Sequence, residues 1–432
     1  MRAREVILLL FIIAAGVTVH EIQHGNLPIF WDFEEGILWN AEEYSFEETL
    51  TVEPPFATDL AVQNAHGRVN VQGAETDRIT ITLTKRIYRK NEADARAVSD
   101  RLRAVLRKDP GRVFLSTTRD EFKKRRNFET DFRIVCPARM AVTVDNSYGD
   151  VMAVGLGALS VDNPHGTVSA SDVSGLVSVI NGYQDVELLR CGADVSVDSR
   201  HSKITVREVR GKLHLIQRYG SIQFEKITGE VEIDAPHTEI TGLDSLSALK
   251  IANSYEPIRL TNSGPVRIEA DHSDFEAENI RGNCEVRDSY GRIRLTDVEG
   301  SLLIDGRSLS VIGLRLRGPD IQVTSSYESV DLKEFSGRTT IRLSHADLAL
   351  APTLLSGPID VQAEYTGIHF YWPKGERYPL EARSRGGRVN WNVDAPSQTE
   401  GNGTFILRAF ADAVGKPEVK LATTYEDIVI EE

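Results

Sequence analysis

Cysteine is scarce in this chain. Its 432 residues hold three, Cys136, Cys191 and Cys284, far apart and without a C-x-x-C pair. That argues against a zinc or disulfide framework, and the three read as small core residues. Basic charge is also short: 50 Lys and Arg stand against 64 Asp and Glu, for a net charge of −14. Phosphate binding requires a basic face, so no nucleic-acid partner is expected, and the acidity reads as solubility. G-x-S-x-G, P-loop and GGxGxD patterns are missing, which leaves no nucleophile elbow, no phosphate cradle and no calcium roll. With 41% hydrophobic and 26% charged residues, the composition is that of a folded, soluble-looking body.

Long apolar runs are missing too, with one exception. Residues 6–19 read VILLLFIIAAGVTV, behind Arg2 and Arg4. A basic end ahead of an apolar stretch marks an export signal. The run is short for a full span of about 20 residues. No A-x-A cleavage site follows it, so an uncleaved signal anchor is expected, with a cleaved signal peptide as the alternative. Either places the body outside the cytoplasm, in the cell envelope on the periplasmic or extracellular side. Residues 21–48, with Trp31, Phe33 and Trp39, then read as a juxtamembrane segment with interfacial aromatics.

Residues 49–140 look like a small α+β cap. Alternation in LAVQNAHGRVNVQGAETDRITITLTKRIY predicts two strands around a turn near residues 73–77. Val98, Leu102, Val105 and Leu106 share one helical stripe over residues 91–109, which Pro110 and Gly111 stop. Two further strands are expected near residues 113–117 and 132–135. A repeat array needs such a cap, because its first unit is an open sheet edge.

What the chain has in abundance is repetition. Tyr148, His165, Tyr183, His201, Tyr219, His237, Tyr255, His272, Tyr290, Ser308, Tyr327, His345 and Tyr365 recur at a near-constant spacing of about 18 residues. Three positions after each of these anchors stands an apolar residue, as at Val151, Ile204, Phe275 and Ile368. A glycine often follows later in the unit, as at Gly175, Gly211, Gly229, Gly282, Gly300, Gly318 and Gly337, and then a second apolar pair such as Val231 and Ile233. Each unit is thus strand, glycine turn, strand, turn, with one face buried. Glycine is expected there to give the corner a positive φ. No unit can bury its face alone, so the units must stack into an all-β, parallel β-solenoid over residues 141–370, with residues 371–432 as an irregular C-terminal cap.

A second order lies over the first. Tyr and His alternate at the anchor, and the residue five later mostly follows: Leu188, Phe224, Leu260 and Leu295 after Tyr, with Ala153 the exception, but Ala170, Val206, Gly242, Ala277 and Gly313 after His or Ser308, with Leu350 the exception. Units therefore pair, giving a double period of about 36 residues. Either one rung is a single repeat and large alternates with small along the stack, or one rung is a pair of repeats and like stacks on like. The second is the expectation, since solenoid ladders favour identical neighbours.

The pattern NSYGDVMAV, then DNPHGTVSASDVSGLVSV, resembles the repeated units of the bacterial putative-adhesin domain of unknown function. AVQNAHGRVNVQG upstream and Val135-Cys136-Pro137 before the first repeat are similar to that family's opening. The resemblance covers residues 49–432. It departs at the Tyr/His position, where the family more often has Asn or Ser before Gly. It implies an extracytoplasmic β-solenoid and supplies no catalytic residues.

No catalytic constellation is visible. Asp150, Asp185 and Asp274 recur at a turn position beside the anchor, where aspartate serves the turn. His20-Glu21-Ile22-Gln23-His24 fits H-E-x-x-H, but Gly25 and Pro28 end any helix there, so no zinc site is expected. His165, His201, His237, His272 and His345 could line up as a metal ladder only if each rung holds a pair of repeats, and are read as packed corner residues. Tyr148, Tyr183, Tyr219, Tyr255, Tyr290, Tyr327 and Tyr365 form a candidate aromatic ladder, either a structural stack or a platform for glycan rings. The expectation is a membrane-anchored, non-catalytic adhesion, scaffold or binding module without cofactor. It would touch the membrane through its N-terminal segment and take a protein or glycan ligand. The alternatives are a carbohydrate-active β-helix enzyme and an envelope signalling accessory.

Overall fold

The computed structural model describes residues 31–32, 36–37, 41–122, 127–394, 397–401 and 403–432. The apolar run at residues 6–19 and the His20–His24 motif lie outside them. The chain divides into two compact units, one ending at Gly149 and the other starting at Asp150.

In the first unit Trp31–Asp32 pairs antiparallel with Gly36–Ile37, and the remaining strands form two sheets. Glu42–Val52 pairs antiparallel with Ile79–Arg89, which pairs antiparallel with Phe128–Pro137, and that strand lies parallel to Val69–Ala74. In the other sheet Ala104–Asp109 pairs antiparallel with Arg112–Thr117, followed in parallel by Asp59–His66 and Ala141–Tyr148. The helix, Glu92–Arg101, is capped by Asn91, whose side chain accepts from the Asp94 amide at 2.9 Å. Ala95 and Leu102 pack from it against Ile87 and Phe128.

Two expectations change here. The helix stops at Arg101, and Val105 and Leu106 belong to a strand. Leu102 turns extended and buried, and the hairpin around Gly111, at φ +94°, satisfies the backbone that follows. The predicted first strand of the cap is two strands broken at Gly67, φ +128°. They form a true rung. Asn64-Ala65-His66-Gly67-Arg68-Val69 repeats the pattern of Asn146-Ser147-Tyr148-Gly149-Asp150-Val151, and the His66 and Tyr148 rings stack at 4.6 Å.

The second unit is a parallel β-solenoid. Each rung gives one strand to a sheet that follows the anchors, such as His201–Val209, Tyr219–Ile227 and Thr238–Ser245, and one to a sheet that follows the glycine turns, such as Leu213–Ile216, Val231–Pro236 and Leu249–Ser254. The register is the repeat itself: His201 lies beside Tyr219, Ile204 beside Ile222 and Val206 beside Phe224. A rung is therefore a single repeat, not the pair of repeats expected. All the apolar residues three after an anchor are buried, none above 2% exposed.

Ala153 lies beside Ala170, and Leu350 beside Leu332 and Phe370, but in the middle of the stack large alternates with small, and packing explains why. Phe224 lies beside Gly242, and Gly242 beside Leu260. A Cβ on Gly242 would come within 2.7 Å of Phe224 Cε2 and 2.8 Å of Leu260 Cδ2. Two bulky neighbours thus close over one small rung and fill the interior at native density. Two aligned phenyl groups would compete for the same space.

The recurring glycines serve a different end from the one expected. Of those seven turn glycines only Gly282 has a positive φ. A Cβ on Gly175, Gly229, Gly318 or Gly337 would instead run into the carbonyl oxygen of the adjacent rung. Glycine is needed because stacked backbones approach too closely for a side chain.

The last residues are not an irregular cap throughout. Leu380–Arg385 and Val389–Asn392 form a regular rung, with Gly386 at its anchor. The C-terminal strands Val419–Thr424 and Ile428–Glu431 insert between that rung and the Ile359–Glu364 and Gly367–Tyr371 rung. Thr404–Ala409 then closes on Leu380–Arg385 antiparallel.

Candidate functional site

The anchors lie on the outside of a corner, and a buried polar residue two positions earlier holds that corner. Asn181 donates to the Gly166 carbonyl at 2.8 Å, Gln217 to the Ser202 carbonyl at 2.6 Å and the Tyr219 carbonyl at 2.7 Å, and Asn253 to the Glu256 carbonyl at 2.8 Å. These bonds meet carbonyl groups that the turn leaves unpaired in the interior. From His237 onward the anchors themselves are left-handed, as at Tyr255, φ +69°, and Tyr290, φ +64°. The corner thereby projects each ring outward.

All seven predicted tyrosines point to solvent, with exposures from 45% at Tyr365 to 66% at Tyr327. Histidines 165, 201, 237, 272 and 345 are exposed beside them. The rings stack face to face. From His165 through Tyr290, successive centroids lie 4.8–5.5 Å apart, with planes within 24° of parallel. The stack resumes at Tyr327 and continues through His345 and Tyr365 to Tyr425, at 5.4, 4.7 and 4.7 Å. Ser308 interrupts it.

This geometry bears on both readings of the tyrosines. A glycan ring needs an aromatic face, and from His165 to Tyr290 and from Tyr327 to Tyr425 the faces between successive rings are covered by those rings. What the ladder offers solvent is its edge, a row of phenol hydroxyls and imidazole nitrogens. The single-repeat rung also removes the metal ladder, because a tyrosine ring stands between consecutive histidines. Among the described residues no cluster of three or more His, Cys, Asp or Glu could hold a metal ion.

A second column, not expected from the sequence, runs through the same strands. Seven positions after the anchors stand Asp172, Arg190, Glu208, Lys226, Asp244, Asn262, Asn279, Asp297, Arg315 and Glu334, all left-handed at φ +52° to +62°. Asp172 receives both Nε and Nη2 of Arg190, at 2.6 and 2.7 Å, and Asp297 receives Arg315 at 2.8 and 2.7 Å. These bidentate pairs pull both carboxylates below their ordinary pKa. Asn279 donates to Asn262, and Asn262 to Asp244. Alternation of charge sign from one repeat to the next was the readable signal.

The tyrosine rung at Tyr290 differs from its neighbours. Where the Tyr255 rung has Asn253, it has Asp288, 3% exposed. Oδ1 accepts from the Ser289 amide at 2.7 Å, and Oδ2 has no hydrogen-bond partner. Burial pushes this carboxyl up to about 7, against the pull of the Ser289 amide. The cysteines are buried, and burial raises Cys136 and Cys191 to about 11 and Cys284 to about 12.

No family model matches the chain, and no curated protein matches it. Among solved structures it is similar to the crystal structure of a putative cell adhesion protein from Clostridium sporogenes, at 9% identity and a TM-score of 0.21, over 90% of this chain and 99% of that one. It is also similar to a putative adhesin from Bacteroides fragilis, at 13% identity and a TM-score of 0.24, over 62% and 96%. At those scores the solenoid assignment rests on the chain's own strand register.

Proposed function

We propose that this chain is a non-catalytic binding or adhesion module of the cell envelope, held at the membrane by its N-terminal segment, and that it engages a protein partner along the outer edge of the aromatic ladder. The observation that carries the reading is the exposure of a regular row of Tyr and His edges. A stack needed only for stability would gain more from burial, since stabilisation follows apolar area removed from water. Tyrosine and histidine edges combine apolar contact with hydrogen bonding, the mix that interfaces use. Arg2 and Arg4 ahead of residues 6–19 support export.

The test is a ladder variant in the full chain, Tyr183→Ala with Tyr219→Ala, assayed for binding to washed envelope fractions. The expected result is at least a tenfold weaker association with unchanged β-sheet circular dichroism. Undiminished binding would sink the ladder as the contact surface. Recovery of the wild-type protein from the cytoplasmic fraction would sink the envelope location.

A further inference from the structure

Among the described residues, the run of rings from His165 to Tyr425 is interrupted at one rung. Between Tyr290 and Tyr327 the anchor is Ser308, half-buried and without a ring. Rungs advance about 4.8 Å each, so these two phenol rings lie two steps apart, about 10 Å. Everywhere else in the second unit's stack up to Tyr365, a histidine occupies that middle step. His201 sits between Tyr183 and Tyr219 at 5.5 and 5.0 Å, and His237 between Tyr219 and Tyr255 at 5.2 and 4.8 Å. The slot at Ser308 is a histidine position without an imidazole.

Its walls are the most exposed tyrosines of the ladder, Tyr327 at 66% and Tyr290 at 59%. Each stacks on one histidine, Tyr327 on His345 and Tyr290 on His272, and among the described residues no second ring stacks on either from the side of the slot. The backbone beneath keeps the slot open. Leu309 turns inward and is fully buried, and a Cβ on Gly306 would run into the Asp288 carbonyl oxygen of the adjacent rung and come within 2.7 Å of Leu309 Cδ1. The interval from Ser308 to Tyr327 is one residue longer than the usual repeat. A groove of about 1020 Å³ runs alongside, lined by Tyr290, Arg307, Asp271, Asp305 and Ser326 among others.

We infer that the Ser308 slot is a binding site for one imidazole ring, presented by a histidine side chain of a partner polypeptide, which enters between Tyr290 and Tyr327 and completes the stack. The occupant follows from the ladder itself, in which imidazole between two phenols is the repeated unit. Two electron-rich phenol faces also attract the protonated ring. The net charge of −14 adds long-range attraction for a cationic partner. The site stands on ring geometry alone and does not depend on what the rest of the ladder contacts.

The experiment uses full-length protein with 13C-labelled tyrosine rings, titrated with imidazole and with N-acetylhistidine amide. Resonances are assigned through Tyr290→Phe and Tyr327→Phe. His201→Ser opens a second slot of known occupant and serves as the reference. The expected result is saturable shifts at Tyr290 and Tyr327 in the wild type, at a dissociation constant within tenfold of the His201→Ser slot. Those shifts should vanish in Ser308→His, and in Ser308→Tyr should that first variant misfold. Silence at Tyr290 and Tyr327 overturns the inference, whether or not the His201→Ser slot binds. So do shifts that persist in both filled variants. Tighter binding of p-cresol than of imidazole would overturn the assignment of the occupant.

Discussion

Asp288→Asn replaces a buried carboxyl with the residue that the Tyr255 rung carries at the same place. The carboxyl has an ordinary pKa of 3.8 and stands at about 7 in the folded chain. Because the folded value is raised, the protonated form is the one that folding favours. Its contribution is fully present below about pH 4 and is lost as pH rises through 7. The displacement from 3.8 to about 7, at about 1.4 kcal/mol per pH unit, amounts to about 4 kcal/mol. Oδ1 keeps its bond from the Ser289 amide when ionised, and water entering the neighbouring groove would screen the charge, so about 2–4 kcal/mol is the working range. An asparagine avoids this loss and can donate to the turn carbonyls as Asn253 does. The assay is thermal unfolding of wild type and Asp288→Asn in parallel from pH 4 to pH 8.5. Subtracting the two curves removes every other titrating group. The variant should gain little at pH 4 and should be the more stable protein at pH 8, with the difference opening between about pH 4 and pH 7. A difference that stays flat across this range, or that opens toward acid, would refute the reasoning.

Gly242→Ala places a methyl against Phe224 and Leu260 and should cost about 1–3 kcal/mol; adding Phe224→Leu in the same chain should return most of it, and additive losses in denaturant midpoints would contradict the large-over-small account. Asn181→Ala removes the bond to the Gly166 carbonyl and leaves that group unpaired, at about 1–3 kcal/mol, visible as faster amide exchange at residues 166–168 and 183–186. The cysteines should ignore a thiol reagent such as Ellman's in native protein at pH 8 and react together on unfolding, since only the thiolate attacks and burial holds Cys284 at about 12.

Much of the solenoid was legible because its signal is periodic and local. A position that recurs once per repeat and is apolar every time can only be an inward column, and Val151 through Ile368 are that column. The size of a rung was not legible. A rung of one repeat and a rung of two satisfy the same alternation, and the choice turns on whether Phe224 fits beside Gly242, a question of volume that no single strand contains. The glycine turns were found for the wrong reason. Positive φ and close backbone approach both select glycine, and the difference lies in the adjacent rung. The rung in the cap carried its own signature in Asn64, His66, Gly67 and Val69. It was obscured because residues 75–140 intervene before its partner at Asn146.

The ladder shows the same limit at the level of the site. Its residues were all named from spacing, yet their chemistry depends on orientation. Rings that stack at 4.8–5.5 Å lose their faces to each other and keep only edges for a partner. The one position that breaks the alternation, Ser308, is then the one inside the run where opposed faces stay open. An interruption that weakened the repeat in the sequence becomes its most specific feature in space.

Order along the stack is the part that sequence cannot carry at all. Tyr425 and Gly386 both fit the anchor, and chain order would place the Gly386 rung directly after Tyr365. That arrangement would set a glycine against the Tyr365 ring and leave the terminal strand, Val419–Thr424, as an open edge. The observed insertion avoids both. Tyr425 stacks on Tyr365 at 4.7 Å, and the backbone of Val419–Thr424 is paired on both sides. Gly386 moves to the end, where the ladder stops and where its absent side chain leaves 3.3 Å between an ideal Cβ and Tyr425 Cδ1. The outer rung then receives Thr404–Ala409 antiparallel, the pairing that ends parallel growth of that sheet. Val419–Thr424 thus follows Leu380–Arg385 in chain order and precedes it in stack order, where it is paired on both sides and Tyr425 beside it is stacked on Tyr365.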